Sequence, residues 1–432
     1  MQSVPLAVVL SGGGARGAYE IGVLRHVLGE IAPRVGEAAL PRIFCGTSVG
    51  AINACALAAH ARDFNAGLRL LEERWSRLEL RDVFRRGWGD LAGLARWLVG
   101  VGLPAGPQSM LDPGPLAELV RADVPWRTLH ENVASGLVQA VTVSATDVET
   151  GNTVVFLEGR ARGRDTLAVP TSQDESVEWS RARLTPQHAL ASAAIPFLFP
   201  PVLLAGRVFT DGSVRQNTPL APAVRLGAGR VLVIGLRAGR RPHAVPARRQ
   251  PEPEQRALAS PFFLFGKLLD ALLLDRVETD LSTLRRINLA LAGLPGRTMR
   301  DEPIATQPGA PQQGQGLEPP DLALAAFERS AVGQALEAAG APLRPVRDLH
   351  LRPSRDLGAL AAALIDRPSV RDRLGGPAGW LLRKMGEAAG ATGGSDTLSY
   401  LLFDGEYARE LIAMGEADAR ALGPEIEAFL AG

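Results

Sequence analysis

Lysine is nearly absent from this chain: Lys267 and Lys384 are the only two among 432 residues, so arginine supplies almost all of the positive charge. Cysteine is equally scarce, and Cys45 and Cys55 alone provide neither a disulfide framework nor a metal site. The formal net charge of +1 argues against an electrostatic nucleic-acid-binding surface. We therefore expect no metal, no cofactor and no nucleic-acid partner.

Long apolar segments are also missing. The best candidates for a membrane-spanning helix are interrupted by Arg96, Lys267 or Asp270. The N-terminus has neither the basic start nor the cleavage site of a secretory signal. We therefore expect a cytoplasmic protein that is able to touch membranes peripherally. With 46% hydrophobic residues, the chain can bury the core of one large domain or of two modest ones.

Two glycine-rich turns near the N-terminus are the most informative motifs. The first, Gly12-Gly13-Gly14-Ala15-Arg16-Gly17, follows an apolar run at 6–10 and precedes a helical pattern. The second, Gly46-Thr47-Ser48-Val49-Gly50, follows a predicted strand at 42–45 and precedes a helix of small residues. Each turn is therefore predicted to join a strand to a helix, where free backbone N–H groups can bind negative charge.

The second turn predicts a nucleophile elbow around Ser48. A serine at such a turn takes up a strained backbone conformation, and small residues on both sides let strand and helix approach each other. Gly46 and Gly50 occupy those two positions. The sequence therefore proposes Ser48 as a nucleophile.

The first turn has two interpretations, because G-x-G-x-x-G is also the dinucleotide-binding fingerprint. That fingerprint expects an acidic residue about 20 positions further on, at the end of the next strand. Here the next strand ends in Gly-Thr-Ser, while Glu30 and Glu37 lie in helical or loop-like sequence. An oxyanion loop explains both turns together, and the dinucleotide site stays as the weaker alternative.

A base for Ser48 is harder to find. The chain has six histidines: His26, His60, His130, His188, His243 and His350. Only His188 is a contender, and it begins a run of small apolar residues. We therefore consider Asp211, which follows a strand-like segment and precedes Gly212 and Ser213. An aspartate has an ordinary pKa near about 3.9, so burial has to raise it before it can serve as a base.

Four sequence blocks occur in a fixed order: the two glycine turns, the segment Ala191–Pro201 (ASAAIPFLFPP) and the pair Asp211-Gly212. In this order and spacing they resemble the patatin-like phospholipases over about the first 240 residues. The resemblance implies that Ser48 is the nucleophile and Asp211 its base, without a histidine. It also implies that the Gly13 and Gly14 amides form an oxyanion hole that Arg16 and the rest of the loop support. Ser213 departs from the usual Gly or Ala, and its hydroxyl could add a hydrogen bond that shifts the aspartate.

The order of predicted elements indicates an α/β fold, a three-layer α/β/α arrangement with a mostly parallel central sheet and a helical C-terminal extension. Strands are predicted at 138–145, 154–157, 231–235 and 349–352. We expect a catalytic core at 1–236, an Arg/Pro-rich loop at 237–257, and a mostly helical region at 258–432. The strand near 349–352 would let that last region complete the core, and 293–320 has the composition of a low-complexity loop.

Four tryptophans, at positions 75, 88, 97 and 126, lie between the predicted elbow helix and the next strand. They predict either a lid or lipid-contacting surface, or ordinary packing over the sheet, and the apolar run 262–265 allows the same two interpretations. Three functions remain open from the sequence: a phospholipase A, lysophospholipase or esterase acting on a lipid or acyl ester; a nucleotide-binding oxidoreductase; and a catalytically silent interaction protein. The sequence does not specify the lipid.

Overall fold

The structure, a computed structural model, describes residues 4–83, 112–160, 175–196, 198–239, 277–291, 345–374, 379, 382 and 396–432. The chain divides into two structural units, Met1–Val277 with Asp348–Gly432, and Glu278–Arg347. The loop predicted at 293–320 lies outside the described residues, as do Trp88, Trp97, the run 262–265 and most of 237–257.

Nine strands of the described residues form one sheet, in which β5, β4, β3, β2, β1, β8 and β9 are consecutive neighbours. The strands are β1 (Leu6–Leu10), β2 (Pro41–Thr47), β3 (Ala140–Asp147), β4 (Thr153–Gly159), β5 (Val177–Arg181), β6 (Val202–Leu204), β7 (Arg207–Asp211), β8 (Arg230–Ile234) and β9 (Arg347–Leu351). Strand β7 pairs antiparallel with β3 and with β6. The central pairs β3–β2, β2–β1 and β1–β8 are all parallel.

Helices connect these strands. Those before β8 are α1 (Ala18–Leu24), which continues as a π-helical segment (Arg25–Ile31) and a last turn (Ala32–Val35), then α2 (Val49–Ala59), α3 (Phe64–Arg77), α4 (Leu80–Val83), α5 (Gly114–Asp123), α6 (Trp126–Ala134), α7 (Pro186–Ser192) and α8 (Leu220–Arg225). Every residue of β1 and β8 is buried, as expected of parallel strands that helices cover on both faces. The predicted α/β class with a mostly parallel central sheet is confirmed.

The remaining described helices follow β8. They are α9 (Val277–Leu291), α10 (Leu357–Ile365), α11 (Pro368–Arg373), α12 (Asp396–Leu401), α13 (Gly405–Ala421) and α14 (Gly423–Ala431). Helix α13 packs directly on α1, because a Cβ atom at Gly22 would lie only 2.0 Å from the carbonyl oxygen of Ile412. In the smaller unit, the Asn288 amide on α9 bonds both the carbonyl and the N–H of Val346, at 2.7 and 3.1 Å. The C-terminal helices from α10 onward belong to the larger unit.

Candidate active site

Ser48 lies at a sharp turn between β2 and α2. Its φ of 54° is in the left-handed region, where a residue other than glycine carries backbone strain. Strand and helix approach so closely here that a Cβ at Gly46 would lie 2.2 Å from the carbonyl oxygen of Gly50. The sequence G-T-S-V-G therefore folds as the sharp strand-to-helix turn that it predicts.

The sheet brings Asp211 to this turn. In the sheet register, Thr47 on β2 lies beside Ser144 on β3, and the next residue of β3, Ala145, pairs with Asp211 at the end of β7. As a result the Ser48 hydroxyl donates a hydrogen bond of 2.7 Å to Asp211 Oδ2. Two residues 163 positions apart in sequence thus meet as a hydrogen-bonded pair.

Asp211 is fully buried, and this burial sets its acidity. Burial raises the pKa of Asp211 to about 6, although the hydrogen bond from Ser48 and the Ser213 N–H work in the opposite direction. The Ser213 N–H donates to Oδ1 at 2.7 Å, from the 3₁₀ turn Gly212–Val214 that directly follows the aspartate. A carboxylate with this pKa is a stronger base than an exposed aspartate and is still ionised at neutral pH.

A second serine, Ser192 at the end of α7, holds the backbone of Ser48. The Ser48 N–H donates to Ser192 Oγ at 2.8 Å, and the Ser192 hydroxyl donates in turn to the carbonyl oxygen of Ser144 at 2.5 Å. Sequence reasoning assigned no role to Ser192, although it lies in the third sequence block. A lone polar residue in that run of small and apolar residues is the signal that could have found it.

The first glycine turn lies directly against the second. Strands β1 and β2 are paired with Leu10 beside Gly46, and a Cβ at Gly12 would lie 3.2 Å from the Cβ of Ser48. Gly12 itself is fixed by a hydrogen bond of 3.0 Å from its N–H to the Asn217 carbonyl. Among the described residues, the N–H groups of Gly13 and Gly14 donate to no acceptor. They are therefore free to bind an anion near Ser48.

The Arg16 side chain joins the first glycine turn to helix α12. Its buried side chain donates from Nε to Ser399 Oγ at 2.7 Å, and its guanidinium lies 3.9 Å from the centre of the Tyr400 ring. The loop is thus attached to α12, near the C-terminus of the chain. Ala15 and Gly17 are buried beside it.

His188, the only histidine considered as a base, has a structural role instead. Its Nδ1 lies 2.8 Å from Thr185 Oγ1 and 3.1 Å from the Thr185 N–H, in a capping box at the start of α7. Burial lowers the pKa of His188 to about 4. Ser48 contacts the other end of the same short helix, at Ser192. Both contacts of His188 Nδ1 are therefore with Thr185, and neither involves Ser48.

An apolar pocket opens beside Ser48. Its walls come from α2, from α3 to α5, and from the segment after α7, where Ala193, Ile195 and Phe199 contribute side chains. Trp75 is buried in the wall, with its Nε1 3.4 Å from Asn53 Oδ1. An ion pair of 2.9 Å between Arg74 and Asp123 joins α3 to α5 at the same pocket. The third sequence block therefore supplies part of this wall.

A sequence profile of the patatin-like phospholipase family matches residues 8–224, which is half of the chain. The chain belongs to the patatin-like phospholipase family. Its resemblance in sequence to this family, expected from the four blocks, is thereby confirmed. Ser48 directly follows β2. A dinucleotide-binding protein would carry an acidic residue at this position.

Two of the similar solved structures come from bacteria. VipD of Legionella pneumophila is 13% identical with a TM-score of 0.28, over 95% of this chain and 67% of that one. The ExoU–SpcU complex of the type III secretion system of Pseudomonas aeruginosa is 15% identical with a TM-score of 0.25, over 100% of this chain and 75% of that one. A search of curated proteins gave no match.

Within the residues that the structure describes, no three histidine, cysteine or acidic side chains are grouped so that they could hold a metal ion. Across the same ranges, no helix has both the length and the hydrophobicity needed to cross a bilayer. Cys45 and Cys55 are both buried, on either side of the elbow.

Proposed function

We propose that this member of the patatin-like phospholipase family is a serine hydrolase that cleaves carboxylic ester bonds of lipids with a dyad of Ser48 and Asp211. The observation that carries the proposal is the 2.7 Å hydrogen bond from the strained Ser48 hydroxyl to a buried aspartate. The pocket beside Ser48 is lined mainly by apolar side chains, which suits an acyl chain better than a polar substrate.

In the first step Ser48 Oγ attacks the ester carbonyl carbon while Asp211 Oδ2 accepts the hydroxyl proton. The carbonyl oxygen becomes an oxyanion, which the Gly13 and Gly14 N–H groups bind. The tetrahedral intermediate then expels the alcohol, to which the protonated Asp211 returns the proton. Ser48 is left as an acyl ester.

In the second step water attacks the acyl carbonyl carbon, and Asp211 again accepts the proton. Collapse of this second intermediate breaks the bond to Ser48 Oγ, which recovers its proton from Asp211 as the fatty acid leaves. One carboxyl group thus acts alternately as base and acid. A pKa of about 6 suits both roles at neutral pH better than the ordinary value of 3.8.

The hydrogen bonds around Ser48 support this mechanism by restricting its movement. The backbone N–H of Ser48 donates to Ser192, and its side chain donates to Asp211, so both ends of the residue are fixed. The nucleophile therefore needs little reorganisation before attack, which is how positioning contributes to catalysis.

The test is labelling with a fluorophosphonate probe together with hydrolysis of a panel of phospholipids, lysophospholipids and glycerides. We expect the native protein to be labelled, and Ser48→Ala to lose both labelling and hydrolysis while it still folds, as its circular dichroism spectrum would show. Ser135→Ala, the same change at an exposed serine, serves as the control and keeps both. Full hydrolysis by Ser48→Ala would refute the dyad. A native protein that neither reacts with the probe nor hydrolyses any lipid would favour the catalytically silent alternative.

A further inference from the structure

The pocket follows one face of helix α2, starting at the nucleophile. Val49, Ile52, Asn53 and Ala56 all line it, and their spacing places them on the same side of a helix. Ala56 follows Ser48 by eight residues. At a rise of about 1.5 Å per residue this spans about 12 Å, the length of an extended acyl chain of roughly 8–10 carbons.

The pocket closes just beyond Ala56. Ala59 and His60, the next residues on that face of α2, are not part of its wall. At this level α2 and α3 are in contact, because a Cβ at Gly67 would lie 2.4 Å from the Cβ of His60. Behind it, the buried Asn132 side chain donates to the carbonyl oxygen of Ala59 at 2.9 Å. These contacts close the pocket beyond Ala56 in the direction of α2.

Leu71 faces Ala56 across the pocket. Helices α2 and α3 run in opposite directions, because the end of α2 meets the start of α3 at His60–Gly67, while Asn53 meets Trp75 near the end of α3. Their contacts at His60–Gly67 and at Asn53–Trp75 lie on either side of this level, and midway between them Leu71 lies opposite Ala56. Both residues line the pocket.

The one polar side chain on this face of α2 offers nothing to a ligand. Asn53 donates to the Gly17 carbonyl at 3.2 Å and to Glu20 Oε2 at 2.8 Å, and its oxygen accepts from Trp75. Its hydrogen-bonding groups are thus engaged within the protein. The α2 side of the pocket therefore favours a hydrocarbon chain without polar substituents.

We propose that Ala56 and Leu71 set the upper limit of acyl-chain length, so that the preferred substrates are esters of medium-chain fatty acids of roughly 8–10 carbons. This inference rests on the proposed function, because it places the carbonyl carbon at Ser48. A longer chain has to bend or leave its end in water, so its additional methylenes contribute no free energy of burial.

The test is a series of p-nitrophenyl esters from acetate to palmitate, assayed below the concentration at which each ester forms micelles. For the native protein kcat/KM should rise by up to about fourfold per added methylene while the chain is still being buried, and should stop rising near 8–10 carbons. In Ala56→Leu the maximum should move to shorter esters, with at least a tenfold loss on decanoate relative to butyrate. In Leu71→Ala it should move to longer esters.

Shifts in opposite directions separate a length limit from general damage, which lowers kcat/KM for all esters alike. Leu360→Ala on α10 is the matched control, since Leu360 is also a half-buried helical leucine and lies outside the pocket wall. It should keep the native chain-length maximum.

Hydrolysis that depends on Ser48 but shows the native maximum in both pocket variants would overturn the length limit and leave the proposed function standing. If Ala56→Leu fails to fold, an unchanged chain-length maximum in Leu71→Ala is by itself enough to overturn the length limit. Activity that survives Ser48→Ala would instead overturn the proposed function.

Discussion

Replacement of Asp211 by asparagine should abolish hydrolysis and at the same time stabilise the protein at neutral and alkaline pH. The aspartate is fully buried, and burial raises its pKa from 3.8 to about 6. Asparagine has nearly the same shape and no charge. Its amide oxygen can accept from the Ser213 N–H, and its amide nitrogen can donate to Ser48 Oγ. The main change is therefore removal of a buried charge.

The sign and size of the effect follow from the pKa. Because the carboxyl group binds its proton more tightly in the folded than in the unfolded state, the stability it contributes is complete below pH 4 and is lost as the pH rises through about 6. A difference of about two pKa units corresponds to roughly 3 kcal/mol at pH 8. The free energy of unfolding of Asp211→Asn, minus that of the native protein, should thus increase by about this amount from pH 4 to pH 8.

Urea denaturation of both proteins at pH values from 4 to 8.5 measures this difference. Asp147→Asn is a control with the opposite sign: burial alone would raise the pKa of Asp147, but hydrogen bonds from Thr150 and Arg207 lower it overall. Asp147 therefore contributes stability above its unfolded pKa, and its variant should lose stability relative to the native protein as the pH rises. A constant difference between native protein and Asp211→Asn across the range would refute the raised pKa and with it the argument for Asp211 as base.

Three further outcomes are expected. The kcat/KM of the native protein should rise through a pKa of about 6 and level off above it, because only ionised Asp211 accepts a proton; a pH–rate profile that falls over this range would contradict the assignment. Ser192→Ala should lower the free energy of unfolding by about 1–3 kcal/mol, because the buried Ser48 N–H loses its acceptor, and should lower kcat more than it changes KM. Urea denaturation and initial-rate kinetics measure both effects, and a native kcat would show that this hydrogen bond does not position the nucleophile. Arg16→Lys should lower kcat at least about tenfold without changing the chain-length preference, because an ammonium cannot both reach Ser399 and stack on Tyr400; native kinetics would show that the loop needs no such anchor.

The features that the sequence predicts best are those whose causes lie close together in the chain. The elbow needs small residues within two positions of Ser48, and Gly46 and Gly50 are visible as such. The buried central strands are apolar throughout, so they stand out from their surroundings. Asp211 was proposed for a different reason, the lack of a convincing histidine, and the structure places its carboxylate against Ser48.

Features that depend on distant contacts were missed. Strand β5, Val177–Arg181, lies at the edge of the sheet and mixes polar with apolar residues, so no run of hydrophobic residues marks it. Within the helical C-terminal region that the sequence predicts, α12 and α13 are separate helices, because Asp404 caps the start of α13 by accepting from the N–H groups of Glu406 and Tyr407. Ser192 lies 144 residues from Ser48, and only the fold brings the two together.

The first glycine turn shows the same dependence most clearly. The family match ends at residue 224, yet this turn packs against residues near 400. Arg16 is held by Ser399 and Tyr400, and a Cβ at Gly14 would lie 2.2 Å from the Tyr400 carbonyl oxygen, so α12 lies directly against the loop. A glycine-rich loop is flexible in isolation, because glycine restricts the backbone least. In the proposed mechanism, preorganised binding of an oxyanion by this loop therefore depends on its packing against α12 as well as on the motif itself.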